Sequence, residues 1–365
     1  MSLSCGIVGL PNVGKSTLFN CLSGVKARIA NFPFTTIEPN VTIVPVPDKR
    51  LYRISELVKP AKITPAAVEF ADIAGLVRGA SKGEGLGNMF LGHIRETDAI
   101  IHVLRCFDND NIIHVDGSVD PLRDKEAVEF ELLMKDIETV ENKIRKLEKA
   151  IKSNDKTIIE LMETYRFYLD HLSKGIPARR MNITNEKAIL VKDASLLTSK
   201  PVLYVCNVDE KSILKGNRYV DMVQSFAIGE NTGVVVISAA LEAEITTMND
   251  EDDRTMFLRE AGLNEPGIDK LLHEAYRLLN LSTYFTAGEK EVRAWTIRNG
   301  MDARQAAGVI HSDFEKGFIR AEVIKYDDFI KYKSETACKE AGKMFVEGKD
   351  YMVQDGDMIY FRFNV

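Results

Sequence analysis

Short, wholly apolar runs alternate with amphipathic ones through the first third of the chain. CGIVGL (5–10), VEFADIAG (68–75) and AIIHVLRCF (99–107) read as buried strands, and KSTLFNCLSG (15–24) reads as the helix after the first of them. The alternation resumes at PVLYVCNVDE (201–210) and GVVVISAA (233–240). Strands apolar on both faces and separated by helices predict an α/β fold, with a mainly parallel sheet covered on both sides. VTIVPVPD (41–48) carries two prolines and is placed at a sheet edge, where missing N–H donors are tolerated.

The period changes in the middle of the chain. Phe130, Leu133, Ile137, Val140, Ile144, Leu147 and Ile151 recur at alternating spacings of three and four, a coiled-coil seam lasting about three heptads. After the polar break SNDK (153–156), Ile158, Leu161, Tyr165, Leu169 and Leu172 form a second stripe, which predicts an antiparallel helical hairpin. Near its tip Lys143, Arg145, Lys146, Lys149, Lys152 and Lys156 face only Glu148 and Asp155, either a solvated helix face or a patch for RNA. In the C-terminal stretch, STYFTA (282–287) and EVRAWTI (291–297) predict a hairpin. DARQAAGVI (302–310) predicts a short helix with Asp302 and Gln305 as a capping box, and FIRAEVI (318–324) and DMIYFRF (357–363) predict further strands. Together they predict a small α+β module.

Composition narrows the function classes. A chain of 365 residues suits two or three domains, and a formal charge of −6 excludes a protein that coats nucleic acid by charge alone. The five cysteines are scattered without a C-x-x-C pair, which argues against a zinc site or disulfide framework and for a reducing, cytoplasmic setting. No apolar run reaches the roughly 18 residues of a membrane span, and the first strand starts at once, so neither membrane segment nor signal peptide is expected.

The chemistry begins in GLPNVGKST (9–17). Gly9, Gly14, Lys15 and Ser16 satisfy G-x-x-x-x-G-K-[ST] between a predicted strand and helix. The glycines let backbone N–H groups of Asn12, Val13, Gly14 and their neighbours through Thr17 close around phosphates, and the helix N-terminus adds partial positive charge. Lys15 reaches the β and γ phosphates, making it a catalytic candidate, and Ser16 offers a hydroxyl to Mg²⁺. Asp72, ending a buried strand, suits the outer sphere of that ion, and Gly75 is placed to give its N–H to the γ-phosphate. Of the hydroxyls in NFPFTT (31–36), Thr36 is preferred as a further Mg²⁺ ligand.

GLPNVGKST, NFPFTT, DIAG followed by LVRGAS, and NVDE (207–210) resemble the Obg-related translation-factor P-loop proteins, and more narrowly their YchF subfamily, the Obg-like ATPases. AGEKEVRAWTI, IHSDFEKGFIRAEVI and KDYMVQDGD are similar to that subfamily's C-terminal TGS module, a ubiquitin-like β-grasp. The resemblance implies a G-domain in two parts, 1–120 and 199–280, interrupted by a helical coiled-coil insertion at 121–198 and followed by a TGS domain at 281–365. It also names the ribosome as partner, with RNA contact expected through the basic hairpin tip and the TGS module. A monomer is expected.

Guanine readers use N-K-x-D, whose Asp accepts from two guanine donors at a distance set by its side-chain length. Here Glu210 replaces that Asp and Val208 replaces the stacking Lys, so the guanine clamp is lost. Asn207 and a neighbouring carbonyl are expected to take the adenine amino group, and Ser238, Ala239 and Ala240 to brush the base edge. ATP is the expected nucleotide, as the resemblance also implies. The position of the usual water-orienting Gln holds Leu76. His114, in FDNDNIIHVDG, is the local candidate for orienting or deprotonating water, and the resemblance points to the same mobile loop. The wider family implies that Asn12 helps hold K⁺. The expected activity is a slow ATPase switch on the ribosome. The alternatives are a nucleotide-gated RNA or protein adaptor with incidental hydrolysis, and a GTPase in ribosome assembly.

Overall fold

The computed structural model describes residues 3–28, 40–73, 86–150, 156–248 and 250–364. In chain order the first elements are β1 (Ser4–Val8), α1 (Lys15–Arg28), β2 (Val41–Pro45), α2 (Lys49–Val58), β3 (Ile63–Thr64), β4 (Ala67–Asp72), α3 (Leu86–Glu96) and β5 (Ala99–Arg105). Helices α4 (Pro121–Ala150), α5 (Lys156–Ser173) and α6 (Asn185–Leu190) follow, then β6 (Val202–Asn207), α7 (Arg218–Glu230), β7 (Gly233–Ile237), α8 (Ala239–Thr247), α9 (Glu251–Glu260) and α10 (Gly267–Leu278). The chain divides into two compact units. The first contains the N-terminal residues to Gly24 and Glu69–Lys270, and the second contains Ile43–Val68 and Leu271–Val365.

One six-stranded sheet has the order β2-β4-β1-β5-β6-β7, and its strands β1, β5, β6 and β7 belong to the first unit. The pairings of β1 with β4 and β5, of β5 with β6, and of β6 with β7 are all parallel, so these strands end at one edge. All of β1, β5 and β6 is buried, which is why they read as unbroken apolar runs rather than alternating ones. The proline-bearing β2 lies at the end of the order, as its sequence predicts.

Helices α4 and α5 pair as the predicted hairpin. Leu133, Val140 and Ile144 of α4 pack with Tyr165, Tyr168 and Leu172 of α5, and the stripe is completed by partly buried Ile137, Leu147, Leu161 and Leu169. Phe130, predicted in the seam, is instead 56% exposed. Leu133 is the first seam residue of α4 in the buried cluster, so the seam starts one step later than periodicity alone indicates. Ile151 and the link through 155 lie outside the described residues. The hairpin base is tied by Asp136, whose carboxylate accepts from the backbone N–H groups of Leu197 (2.8 Å) and Thr198 (2.8 Å) and from the Thr198 hydroxyl (2.6 Å). Burial pushes the Asp136 carboxyl up despite these donors.

The second unit is built on β8 (Leu281–Ala287), β9 (Val292–Arg298), α11 (Ala303–Ile310), α12 (Ser312–Lys316), β10 (Phe318–Ile324), α13 (Tyr326–Tyr332), α14 (Glu335–Glu340), β11 (Met344–Glu347) and β12 (Met358–Phe363). Its mixed sheet has the order β11-β10-β12-β8-β9-β3. The β8–β9 hairpin and the Asp302/Gln305 capping box form as predicted. The sequence expectation of an unbroken first part over 1–120 is altered here. Residues Ile43–Val68 join the second unit: β3 pairs with β9, and Leu51 and Ile54 of α2 enter a core with Phe285, Ala294, Ile324 and Met358. A two-residue strand and a ten-residue amphipathic helix carry no signal of which distant sheet they join.

Candidate active site

In an open parallel sheet, ligands bind beyond the carboxyl ends of the strands, where neighbouring connections diverge. Here β1 lies between β4 and β5, and the sequence-predicted site residues within the described residues lie at or after the carboxyl ends of β1 (12–17), β4 (Asp72), β5 (His114), β6 (Asn207, Val208 and Glu210) and β7 (Ser238, Ala239 and Ala240). The loop after β1 makes a tight turn with Asn12 at φ 62° and Gly14 at φ 92°. A Cβ on Gly14 would run into the Asn207 amide, and one on Gly9 would sit 2.7 Å from the Val103 carbonyl. Both positions therefore need glycine, for backbone conformation at 14 and for close approach at 9.

Lys15 is buried while Ser16 and Thr17, at the start of α1, are exposed. The Lys15 ammonium donates to Asp72 at the end of β4. This brings together the lysine expected to bind phosphate and the carboxylate expected near Mg²⁺, each neutralising the other. Gly75 and Thr36 lie outside the described residues, as does Leu76.

Asn207 has a structural role that its position in NVDE does not announce. Its Nδ2 donates to the Val13 carbonyl at 2.9 Å, and its Oδ1 accepts from the Ala239 N–H at 2.9 Å. Its own carbonyl accepts from Cys106 N at 2.8 Å. The side chain thus braces the phosphate loop against the N-terminus of α8, and its amide keeps a second N–H and a second Oδ1 lone pair beyond these two bonds. Val208 is buried and its N–H donates to Ile237 O (2.8 Å), whereas Asp209 and Glu210 are exposed. Asp209 caps the turn at Glu210–Ser212, accepting from Ser212 N at 2.9 Å. Ser238 is the N-cap of α8, with Ala239 and Ala240 in its first turn.

The segment between β5 and α4 is anchored by Arg105, which sequence reasoning passed over as part of a strand. It is buried, and its guanidinium donates to the carbonyls of Phe107 (3.2 Å), Ile112 (2.9 Å) and Asn109 (3.1 Å). A charged group at the end of an apolar strand is the signal that was available. The next carbonyl, that of Ile113, accepts from Asn12 Nδ2 at 3.1 Å, which joins this segment to the phosphate loop.

His114 is buried rather than solvent-facing. Its Nε2 meets Asp124 Oδ2 at 2.8 Å, and its Nδ1 accepts from the Asp116 N–H at 3.1 Å, which leaves the proton on Nε2. Arg123 lies 3.2 Å from the other Asp124 oxygen and 3.6 Å from Asp116. His114, Asp116 and Asp124 bring ligand-type atoms within 4.8 Å of one another, but Arg123 already supplies the positive charge there. His102, on β5, is a core histidine: burial holds it neutral, with a pKa lowered to about 3.

Comparison with known proteins places these features in context. Residues 4–164 match the family model described as "50S ribosome-binding GTPase", and residues 281–364 match the YchF-GTPase C-terminal model, described as "Protein of unknown function (DUF933)". The chain is 53% identical over 367 residues to the "Ribosome-binding ATPase YchF" of Bacillus subtilis, with 100% of each chain covered. It is 52% identical over 365 residues to the protein of the same name in Escherichia coli O157:H7, again with 100% of each covered. The solved structure of the Schizosaccharomyces pombe YchF GTPase superposes with a TM-score of 0.90 at 39% identity, over 99% of this chain and 98% of that one.

Proposed function

The chain belongs to the YchF family of P-loop nucleotide-binding proteins, and from that premise we propose that it is an ATP-hydrolysing switch that associates with the ribosome in the cytoplasm. The observation that carries this function is the brace Val13–Asn207–Ala239. It ties a well-formed phosphate loop to a base-side element whose guanine-reading position is held by exposed Glu210. The printed names of the relatives divide between ATPase and GTPase, and the loss of the Asp-length clamp favours ATP. The base would lie against Val208 and the Ser238–Ala240 turn, with Glu210 at its edge.

The triphosphate would be held by the N–H groups of 12–17 and the N-terminus of α1, with Lys15 exchanging Asp72 for the β and γ phosphates. Ser16 and Asp72 would hold Mg²⁺, together with Thr36. Exposed Ser16, next in the chain to the lysine that pairs with Asp72, and the Asp72 carboxylate offer only oxygen donors, which fits this hard cation. Bound there, the ion neutralises charge on the phosphoryl oxygens. Gly75 would donate to the γ-phosphate, His114 would orient the attacking water, and Asn12, through its unshared Oδ1, would contribute to a K⁺ site. Outside this site, exposed Arg145, Lys146 and Lys149 on α4 and the C-terminal unit are proposed to contact RNA. No helix among the described residues is long and apolar enough to cross a membrane.

ATP turnover measured with and without ribosomes tests the function: stimulation is expected, and indifference to ribosomes would favour an adaptor whose hydrolysis is incidental. For the site, His114→Ala is expected to lower turnover at least tenfold with ATP affinity intact. Equal turnover in the two proteins removes His114 from the reaction.

A further inference from the structure

The two ring nitrogens of His114 both have protein partners, so in this state neither can hold a water molecule. A water-orienting role therefore needs the imidazole to leave at least one of them. Resting on that role for His114, we propose that Asp124 is a positioning residue for hydrolysis, a latch on the first turn of α4 that keeps His114 idle until the contact is broken.

Four observations support a latch over a permanent catalytic pair. The contact is buried, with the His114 and Asp124 side chains only 5% and 1% exposed, so the pair is shielded from bulk water while it is closed. The segment around it is not itself anchored by apolar packing: Ile113 is 79% exposed and Val115 is 54% exposed, so an outward turn of His114 breaks no core. Asp124 would not be stranded by the release, because Arg123 remains 3.2 Å from its second oxygen. Finally, the segment is held upstream of His114 by Arg105 and by Asn12, which grips the Ile113 carbonyl (3.1 Å). A released imidazole thus stays one residue from the phosphate loop.

The latch also sits at a mechanically informative place. Asp124 belongs to a helix of 30 residues, about 45 Å long, that forms one arm of the hairpin. The adjacent Lys125 is buried and pairs with Glu129 and Glu230, which fixes this end of the helix to α7. The position of Asp124 is therefore set by α4 and its anchor on α7 rather than by the loop that carries His114.

The test uses the full chain and the variants Asp124→Ala, Asp124→Asn and His114→Ala, together with His114→Ala/Asp124→Ala. Removing the latch is expected to raise kcat for ATP at least fivefold with KM changed less than twofold. The isosteric Asn, a weaker acceptor that preserves the fold, is expected to give a smaller rise. In the His114→Ala background, Asp124→Ala is expected to add nothing. The ¹⁵N shifts of His114 should report a fixed Nε2–H tautomer in the wild type and an exchanging mixture in Asp124→Ala, a change that a purely structural role would not produce. Should His114→Ala lose turnover while both Asp124 variants stay at or below wild type, the latch is overturned and the assignment of His114 survives. A rise of equal size in both backgrounds overturns it too, since Asp124 would then act elsewhere. Wild-type turnover in His114→Ala instead removes the assignment, and the latch with it.

Discussion

Replacing Asn207 by alanine separates a brace from a base reader. The side chain makes two buried hydrogen bonds, to Val13 O and from Ala239 N, each 2.9 Å. Truncation leaves one acceptor and one donor buried without a partner, at about 1–3 kcal/mol each. Partial relaxation and water entry bring the expected total to about 2–4 kcal/mol. Expressed wholly in ligand binding, that is roughly a 30- to 700-fold loss of nucleotide affinity, at about 1.4 kcal/mol per factor of ten. Any part taken up in the free protein appears instead as a lower melting temperature. Calorimetric titration with non-hydrolysable ATP and GTP analogues, paired with thermal melting, measures both parts. As a brace on loop and helix, Asn207 supports either nucleotide alike, so the two affinities should fall by the same factor. A change of more than tenfold in the ATP-to-GTP ratio would show that Asn207 reads the base. Unchanged affinity and melting would show that the two bonds hold nothing together.

Gly14→Ala should abolish nucleotide binding in the same titration, since φ is 92° there and the added Cβ meets the Asn207 amide. Glu210→Asp restores the guanine-clamp side-chain length and should shift competition binding about fivefold toward GTP, roughly 1 kcal/mol. Glu129 is largely buried. Burial alone would raise its pKa, but Arg179 and Lys125 outweigh it and the net value is lowered. A lowered acid stabilises the fold above its unfolded pKa of about 4.3 and loses that contribution as pH falls through the folded value. Glu129→Gln should therefore destabilise by about 3 kcal/mol at pH 7, read by denaturant unfolding, with the gap to wild type narrowing below about pH 4. A gap independent of pH would mean that packing rather than charge is responsible.

Everything written in short-range pattern was legible along the chain. The phosphate loop needs a strand before it, glycines at its bends and a helix after it, all within about twenty residues, and each of those demands is visible locally. The same holds for the α4–α5 seam, the Asp302 capping box and the edge placement of β2, because periodicity and missing N–H groups report burial and hydrogen bonding directly. Long-range packing settled whatever depends on which distant partner a buried group meets. Asn207 lies far along the chain from Val13, and nothing in NVDE says that both ends of its amide are claimed. The pattern placed His114 in a polar loop as a candidate for water, and only the fold shows it buried against Asp124 on the next helix. Phe130 fits the heptad as well as Leu133 does, yet only the reach of α5 determines which is covered. Helix α2 and strand β3 carry patterns suited to either sheet, and their place was settled by the core around Phe285 and Met358 and by the pairing with β9. Pattern states that a side chain must be buried or paired. Identifying its partner takes long-range contacts, which a local period does not encode.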